Sequence, residues 1–458
     1  APGREVLLLS VAHASKNYAG VVWDYVPYLC REEPDPPPPD LTVDNETWLA
    51  ETELWGAHLA GMILLEVESE PAYLVHTVGP RDRPVLNRLR QRLVIALGDE
   101  RLPATERAQV AVSLGVLGDT RQSVLDVDAM RFCYVPPGPF EMGTDDLPHD
   151  DDPDFQAVLD SAKPAHSVDL AIPYWLAQYP VTNAQFQMFV AAGGYQEPEH
   201  WKLAEANGLW QDGQIQSYSW IAEKSEYDRV TRGEPYDYGR PFNLPNHPIV
   251  GVNWYEAQAF CHWLTRRWWQ QGRLPNDWQV RLPTEEEKEK GLRGGQEIPE
   301  KPKISSVRAD MALMPSVLLR SGTLPEPEAL TEQTNFSRTK IGASSGVGCF
   351  PAGASPYGCE EMLGTVWEWT QSAFGRFDSE KSKGRWVYDP FYDYPYRPED
   401  GREQLERDTN WLRVLRGGSW AADEKWMRCG ARLRFNPNLD LRDLGFRVLM
   451  SPFIDSAL

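Results

Sequence analysis

Two short motifs near the C-terminus constrain the fold of this chain more than anything upstream of them. They are Arg416-Gly417-Gly418-Ser419-Trp420 and Leu444-Gly445-Phe446-Arg447-Val448. Together they form the last member of an ordered set of seven. The preceding members are Val135–Gly143 (the expected opening strand), Pro164–Leu170, Tyr179–Phe186, His247–Ala257, Arg281–Glu287 and Gly364–Trp369. Within the set, Thr182/Gln185, Asn253/Glu256 and Thr284/Glu287 have the spacing of a capping box. In that arrangement a small polar residue caps a helix and an amide or carboxylate three residues on caps back. Behind the second box, Trp254, Ala257, Phe260, Cys261 and Leu264 share one helical face. The remainder predicts short strands joined by long loops rich in glycine, proline and aromatic residues. Loops of that length need pinning by buried rings or by metal.

From Phe132 to the C-terminus, about 320 residues, this ordered set resembles that of formylglycine-generating-enzyme-like domains, a branch of the C-type lectin fold. The resemblance implies an α+β fold with little regular structure over residues 126–458. Residues 1–125 differ in style and predict a small α-helical, repeat-like region. Apolar residues recur there at three- and four-residue steps over Arg4–Ala14, Trp48–Glu66, Pro84–Leu97 and Thr105–Leu117. The proline run within Glu33–Asp40 predicts an extended exposed loop. The texture of 48–66 and the Leu117-Gly118-Asp119-Thr120-Arg121 ending look like helical repeats that precede such domains in bacterial signal-transducing NTPases of the NACHT or STAND type. The start, Ala1-Pro2-Gly3-Arg4, suggests a cut inside a longer protein, with further domains as partners.

Charge excludes two classes of partner. With 46 basic and 67 acidic residues the net charge is −21, which argues against nucleic acid and against anionic membranes. No apolar run is long enough to span a bilayer. The six cysteines, Cys30, Cys133, Cys261, Cys349, Cys359 and Cys429, form no CxxC pair and predict reduced, mostly buried thiols in a cytoplasmic protein.

In the oxidase members of the family, two cysteines just after the RGGS-aromatic motif hold copper(I) and engage a substrate thiol. Here that interval, Ala421 to Arg428, contains no cysteine, and Cys429 matches a structural position; no copper is expected. An iron-dependent branch takes histidines from an N-terminal helical bundle. No two of the eight histidines here lie three to five residues apart, so no iron is expected. The resemblance also implies a structural calcium ion, with carboxylates from Glu361 and Glu368 and backbone carbonyls from Gly364 and Val366. A second calcium site, starting at Asn335-Phe336, is expected to be lost. The acidic run Asp145–Asp154 predicts a solvated, mobile loop, because it lacks the alternation of an EF-hand.

These observations predict a non-catalytic ligand-recognition module. Relatives without the cysteine pair include target-binding variable proteins diversified by retroelements, whose variable residues lie between the two closing motifs. The expected specificity surface is Trp420, Ala421, Ala422, Asp423, Trp426, Leu433, Arg434, Phe435, Asn436, Asn438, Leu439 and Asp440, with a protein or peptide as ligand. A second, compatible version makes the chain the sensor end of a larger STAND-type signalling or defence protein. Competing readings are an oxidase with relocated catalytic groups, and an interaction domain or protease target in a multi-protein pathway.

Overall fold

Three of the four helices expected in the first part of the chain form, as Glu51–Glu66, Arg83–Leu97 and Ala104–Leu117. The computed structural model describes residues 22–31, 49–66, 78–221, 226–312, 315, 317–321, 331–378 and 388–453. Arg4–Ala14 and the proline run at 33–40 lie outside these. A further helix, Val22–Leu29, packs on Glu51–Glu66. Leu54, Leu64, Leu89, Leu93, Val110 and Leu114 are all buried in one cluster between the helices. That cluster also takes in Cys349 and Phe350, so the helices share a core with the second part of the chain.

The junction is polar as well as apolar. Arg107, fully buried, donates to the carbonyls of Leu102 (2.6 Å), Cys349 (2.8 Å) and Glu332 (2.9 Å). Arg121 donates to Val347 O at 2.8 Å, and Asn246 Nδ2 to Ala111 O at 3.0 Å. Loop carbonyls at 332–349 thus find their partners on the helical region, as buried carbonyls must.

All three capping boxes close, on helices Asn183–Ala191, Trp254–Gln270 and Glu285–Arg293. The expected opening strand is two strands, Arg131–Val135 and Gly138–Met142. They part at Pro136-Pro137, where neither residue has an N–H for a ladder. One five-stranded sheet runs in the order 304–306, 131–135, 174–177, 449–452, 278–281, all antiparallel. A second sheet orders 388–391, 367–377, 411–416 and 433–435. Leu444–Phe446 joins it by pairing parallel to Trp367–Trp369. Rings of Phe186, Phe260 and Phe446 meet in the main core, with centroids 5.4 to 6.1 Å apart. No helix among the described residues is long and apolar enough to cross a membrane.

The acidic run differs from expectation. A helix begins at Pro153 and runs to Asp160, with proline at its first position, where a missing N–H costs nothing. Asp150 pairs with Lys425 at 2.6 Å, which ties the run to the segment after the RGGSW motif. All six cysteines are buried and unpaired by disulfide.

Candidate functional site

The two closing motifs flank one strand. Arg416 lies opposite Glu368 on the antiparallel side, and Gly445 lies opposite Glu368 on the parallel side. Each motif contributes a buried arginine. Arg416 pairs with Glu285 (3.3 Å) and Glu289 (3.0 Å) and donates to the carbonyls of Cys429 and Ala431. Arg402 and Arg432 complete the set around Glu285, each at 2.8 Å. Burial alone would raise the Glu285 carboxyl, but Arg432, Arg416 and Arg402 outweigh it and hold it down to about 2. Gly417 and Gly418 then reverse the chain with φ of 98° and 76°. Both angles lie in the left-handed region, and a Cβ on Gly417 would sit 2.8 Å from the backbone oxygen of Met362, so glycine is favoured at the corner. The motif is thus a rigid corner that launches residues 420–443.

Arg447 makes the second knot. It pairs with Glu368 at 3.1 Å and donates to the carbonyls of Ala177, Gln178, Glu360 and Glu361. Lys288 reaches the same Glu368 at 2.7 Å. Of the four residues expected to bind calcium, Glu361 and Glu368 both meet Arg447, whereas the Gly364 carbonyl already accepts from Val366 N at 2.8 Å. The Glu368 carboxylate is held by two cations, which oppose a neighbouring dication, and so does not fit a metal ligand. Glu361 fits better. Its Oε1 accepts from Gly348 N, while Oε2 is buried with no partner among the described residues. Burial, with the charge of Glu360 next, pushes the Glu361 carboxyl up to about 8. This donor set is a poor match for a hard dication, which wants several ionised or carbonyl oxygens free to turn inward.

The predicted specificity residues separate into two groups. Ala421 and Asp423 are exposed, and Trp420, Ala422, Leu433, Arg434, Phe435, Asn436 and Leu439 are half-buried. Leu433, Arg434, Phe435, Asn436 and Leu439 line one groove of about 760 Å³. Strand Leu433–Phe435 is the last of its sheet among the described residues. The groove also takes in Phe377 and Leu412 from the two neighbouring strands, so it crosses the sheet rather than running along its outer edge. Trp426, Asn438 and Asp440 belong instead to the interior, which corrects their expected place on the surface. Trp426 packs edge-on against Trp367. The Asn438 carbonyl accepts from Tyr218 N and Ser217 Oγ. Asp440, fully buried, accepts from Ser217, Ser219 and Tyr238 and pairs with Arg232 at 2.9 Å. An unpaired carboxylate at that depth would be costly, and these partners fix the loop rather than face a ligand.

Sequence reasoning missed the opposite walls of the groove. Phe155, 47% exposed, comes from helix Pro153–Asp160, and Tyr227, 49% exposed, from strand Glu226–Arg232, which pairs with Gln214–Ile221. Phe377, Asn410 and Leu412 close it from the central strand and its neighbour. Trp220 stands edge-on to Tyr227 with centroids 5.2 Å apart and extends the aromatic rim. The only signals for these residues were an isolated Phe after an acidic stretch and two rings in a polar hairpin.

Among the aromatic residues that crowd positions 386–396, Tyr394 and Tyr396 are buried against the Glu285 knot, Phe391 is exposed, Tyr392 is half-buried, and Trp386 lies outside the described residues. His58 is buried on its helix and bonds Glu106 at 2.7 Å, whereas His13 lies outside the described residues. Among the described residues no three His, Cys, Asp or Glu side chains are grouped to hold a metal ion.

Comparison with known proteins places these features. The family model of the sulfatase-modifying factor enzyme 1-like domain matches residues 120–452. The hercynine oxygenase of Mycolicibacterium smegmatis is 29% identical over 291 residues, covering 63% of this chain and 53% of that protein. The formylglycine-generating enzyme of Bos taurus is 25% identical over 337 residues, covering 68% of this chain and 72% of that protein. The chain thus spans about half the length of the first relative and nearly three quarters of the second. Among solved structures, PvdO from Pseudomonas aeruginosa is 21% identical, covers 70% of this chain and 94% of its own, and superposes with a TM-score of 0.40.

Proposed function

Because the chain belongs to the sulfatase-modifying factor enzyme 1-like family, we propose that it is a non-catalytic member that recognises a protein or peptide ligand. The ligand lies in the groove beside Leu433–Phe435, and the exposed residues at 420–423 extend that surface. One observation carries the reading. Five of the residues between the closing motifs line a groove walled by exposed Phe155 and Tyr227, with Arg434 over the Phe374 ring at 5.7 Å. Aromatic rings and arginine in a concave, partly apolar setting are the composition of recognition hot spots.

Chemistry supports the non-catalytic part. The interval 421–428 has no cysteine, and the six cysteines of the chain are buried in hydrophobic clusters. Thiolate chemistry needs an accessible, ionisable thiol. Burial pushes the Cys261 and Cys349 thiols well above their usual range, whereas at Cys359 burial is outweighed by a hydrogen bond with Cys133 and the charges of Arg447 and Lys288, which hold that thiol low but fully buried. The module acts either as a target-binding protein with variable specificity or as the sensor end of a larger signalling protein.

The test is a pair of measurements. Peptides selected by display against the intact chain are titrated onto the wild type and onto Tyr227→Ala and Phe155→Ala, whose side chains are exposed enough to be removed without opening the core. Loss of affinity of about tenfold or more in both variants supports the groove. In parallel, a cysteine-containing peptide is incubated with the protein and copper. Turnover that disappears on substituting one of the six cysteines would contradict the reading.

A further inference from the structure

A second cavity, of about 520 Å³, lies between the first turn of helix Asn183–Ala191 and the loop 234–250. Its lining carries the rings of Tyr236, Tyr238 and Phe242 and the carboxylates of Glu234 and Asp237, and includes no lysine, arginine or histidine. The parts are held in place. Tyr238 Oη donates to Asp440 Oδ1 at 3.0 Å, and the Tyr236 and Tyr238 rings meet edge-on at 4.8 Å. Phe242 leans on Trp420 at 5.8 Å. Asp237 Oδ1 accepts from Gly239 N at 2.7 Å and from Asn243 Nδ2 at 3.0 Å, so its charge is oriented without being neutralised.

The nearby cations are engaged or turned elsewhere. Arg232 points inward to Glu256 and Asp440, Arg442 lies over Trp420 at 5.3 Å, and Arg240 is exposed but does not line the cavity. The cavity therefore offers two carboxylates and several π faces to whatever enters it. Both features attract positive charge, since the ring quadrupole is negative on its face.

We infer that this cavity binds a guanidinium group, presented by a small molecule or by an arginine side chain of a peptide. A guanidinium is planar and weakly hydrated, so it stacks on rings while its N–H fork donates to a carboxylate. An alkylammonium holds its water more strongly, and a quaternary ammonium has no N–H to give Glu234 or Asp237. This site is separate from the groove beside Leu433–Phe435, and its test does not depend on that groove.

The experiment is calorimetric titration of the intact chain with agmatine, with N-acetyl-arginine amide, and with the neutral isostere N-acetyl-citrulline amide. The two guanidinium probes are expected to bind saturably, more weakly as salt rises, and the citrulline probe to bind ~tenfold or more weakly. Binding of agmatine alone assigns a free ligand; binding of both assigns a side chain. Glu234→Gln, an exposed position, is expected to weaken binding by ~tenfold while leaving the melting curve unchanged, and Phe242→Leu is expected to weaken it as well. Equal binding of the citrulline probe overturns the inference. So does an unaffected Glu234→Gln variant, or no saturable binding by either guanidinium probe.

Discussion

Arg416 shows what the most telling residues in the closing motifs do. Its guanidinium is fully buried between Glu285 and Glu289, so Arg416→Met would strand negative charge in the core. Breaking one side of such a set costs about 3–5 kcal/mol, read as a fall in the urea midpoint. An unchanged midpoint would show that the knot is dispensable. The same neighbourhood sets the pH response, in two directions. Glu285 is held at about 2, below its ordinary 4.5. Its contribution is therefore complete above about pH 4.5 and fades as pH falls towards 2. Glu403 is the opposite case: burial, then the charge of Glu285, pushes its carboxyl up to about 7. Burial, then the charge of Glu403, likewise raises Glu286. That contribution is complete below about 4.5 and is lost as pH rises through 7. Melting between pH 5 and pH 8 should show a drop in the wild type that shrinks in Glu403→Gln, whose amide cannot ionise. An equal drop in the variant would place the pH sensitivity elsewhere.

Secondary-structure elements divide by how local their causes are. The three capping boxes were legible because each depends on residues three apart, and Thr284→Ala should cost about 1 kcal/mol by removing one. Helix Pro153–Asp160 was not legible, because its apolar residues follow a run of acids that by composition alone predicts a solvated loop. The strand around Val135 was placed but not divided, since the prolines at 136 and 137 act by withdrawing ladder donors. Helix Ala104–Leu117 was readable as a helix, yet nothing local announced that Arg107 would satisfy carbonyls more than 200 residues away. Arg107→Ala should raise hydrogen exchange in both 104–117 and 332–349, since the two segments share that side chain. Faster exchange in neither would mean that the apolar contacts alone hold the helices down.

At the scale of the whole molecule, the frame of two motifs pointed to residues that line one groove but not to what would face them. Leu433, Arg434, Phe435, Asn436 and Leu439 were nameable from the sequence because they lie between fixed points. Phe155, Tyr227 and Phe377 reach the groove from three distant elements, and their meeting is a product of the fold. Electrostatics at this scale also bears on metal. With Lys288 and Arg447 already on Glu368, a calcium chelator should leave the melting temperature unchanged. A fall of several degrees, reversed by calcium, would show that Glu361 and the neighbouring carbonyls take up the ion after all. The central claim is that the groove beside Leu433–Phe435 is where this chain recognises its ligand. Titration of a display-selected peptide onto wild type, Tyr227→Ala and Phe155→Ala tests it most directly. The account predicts at least tenfold weaker binding in both variants with unchanged melting. Equal affinity in all three proteins would contradict it.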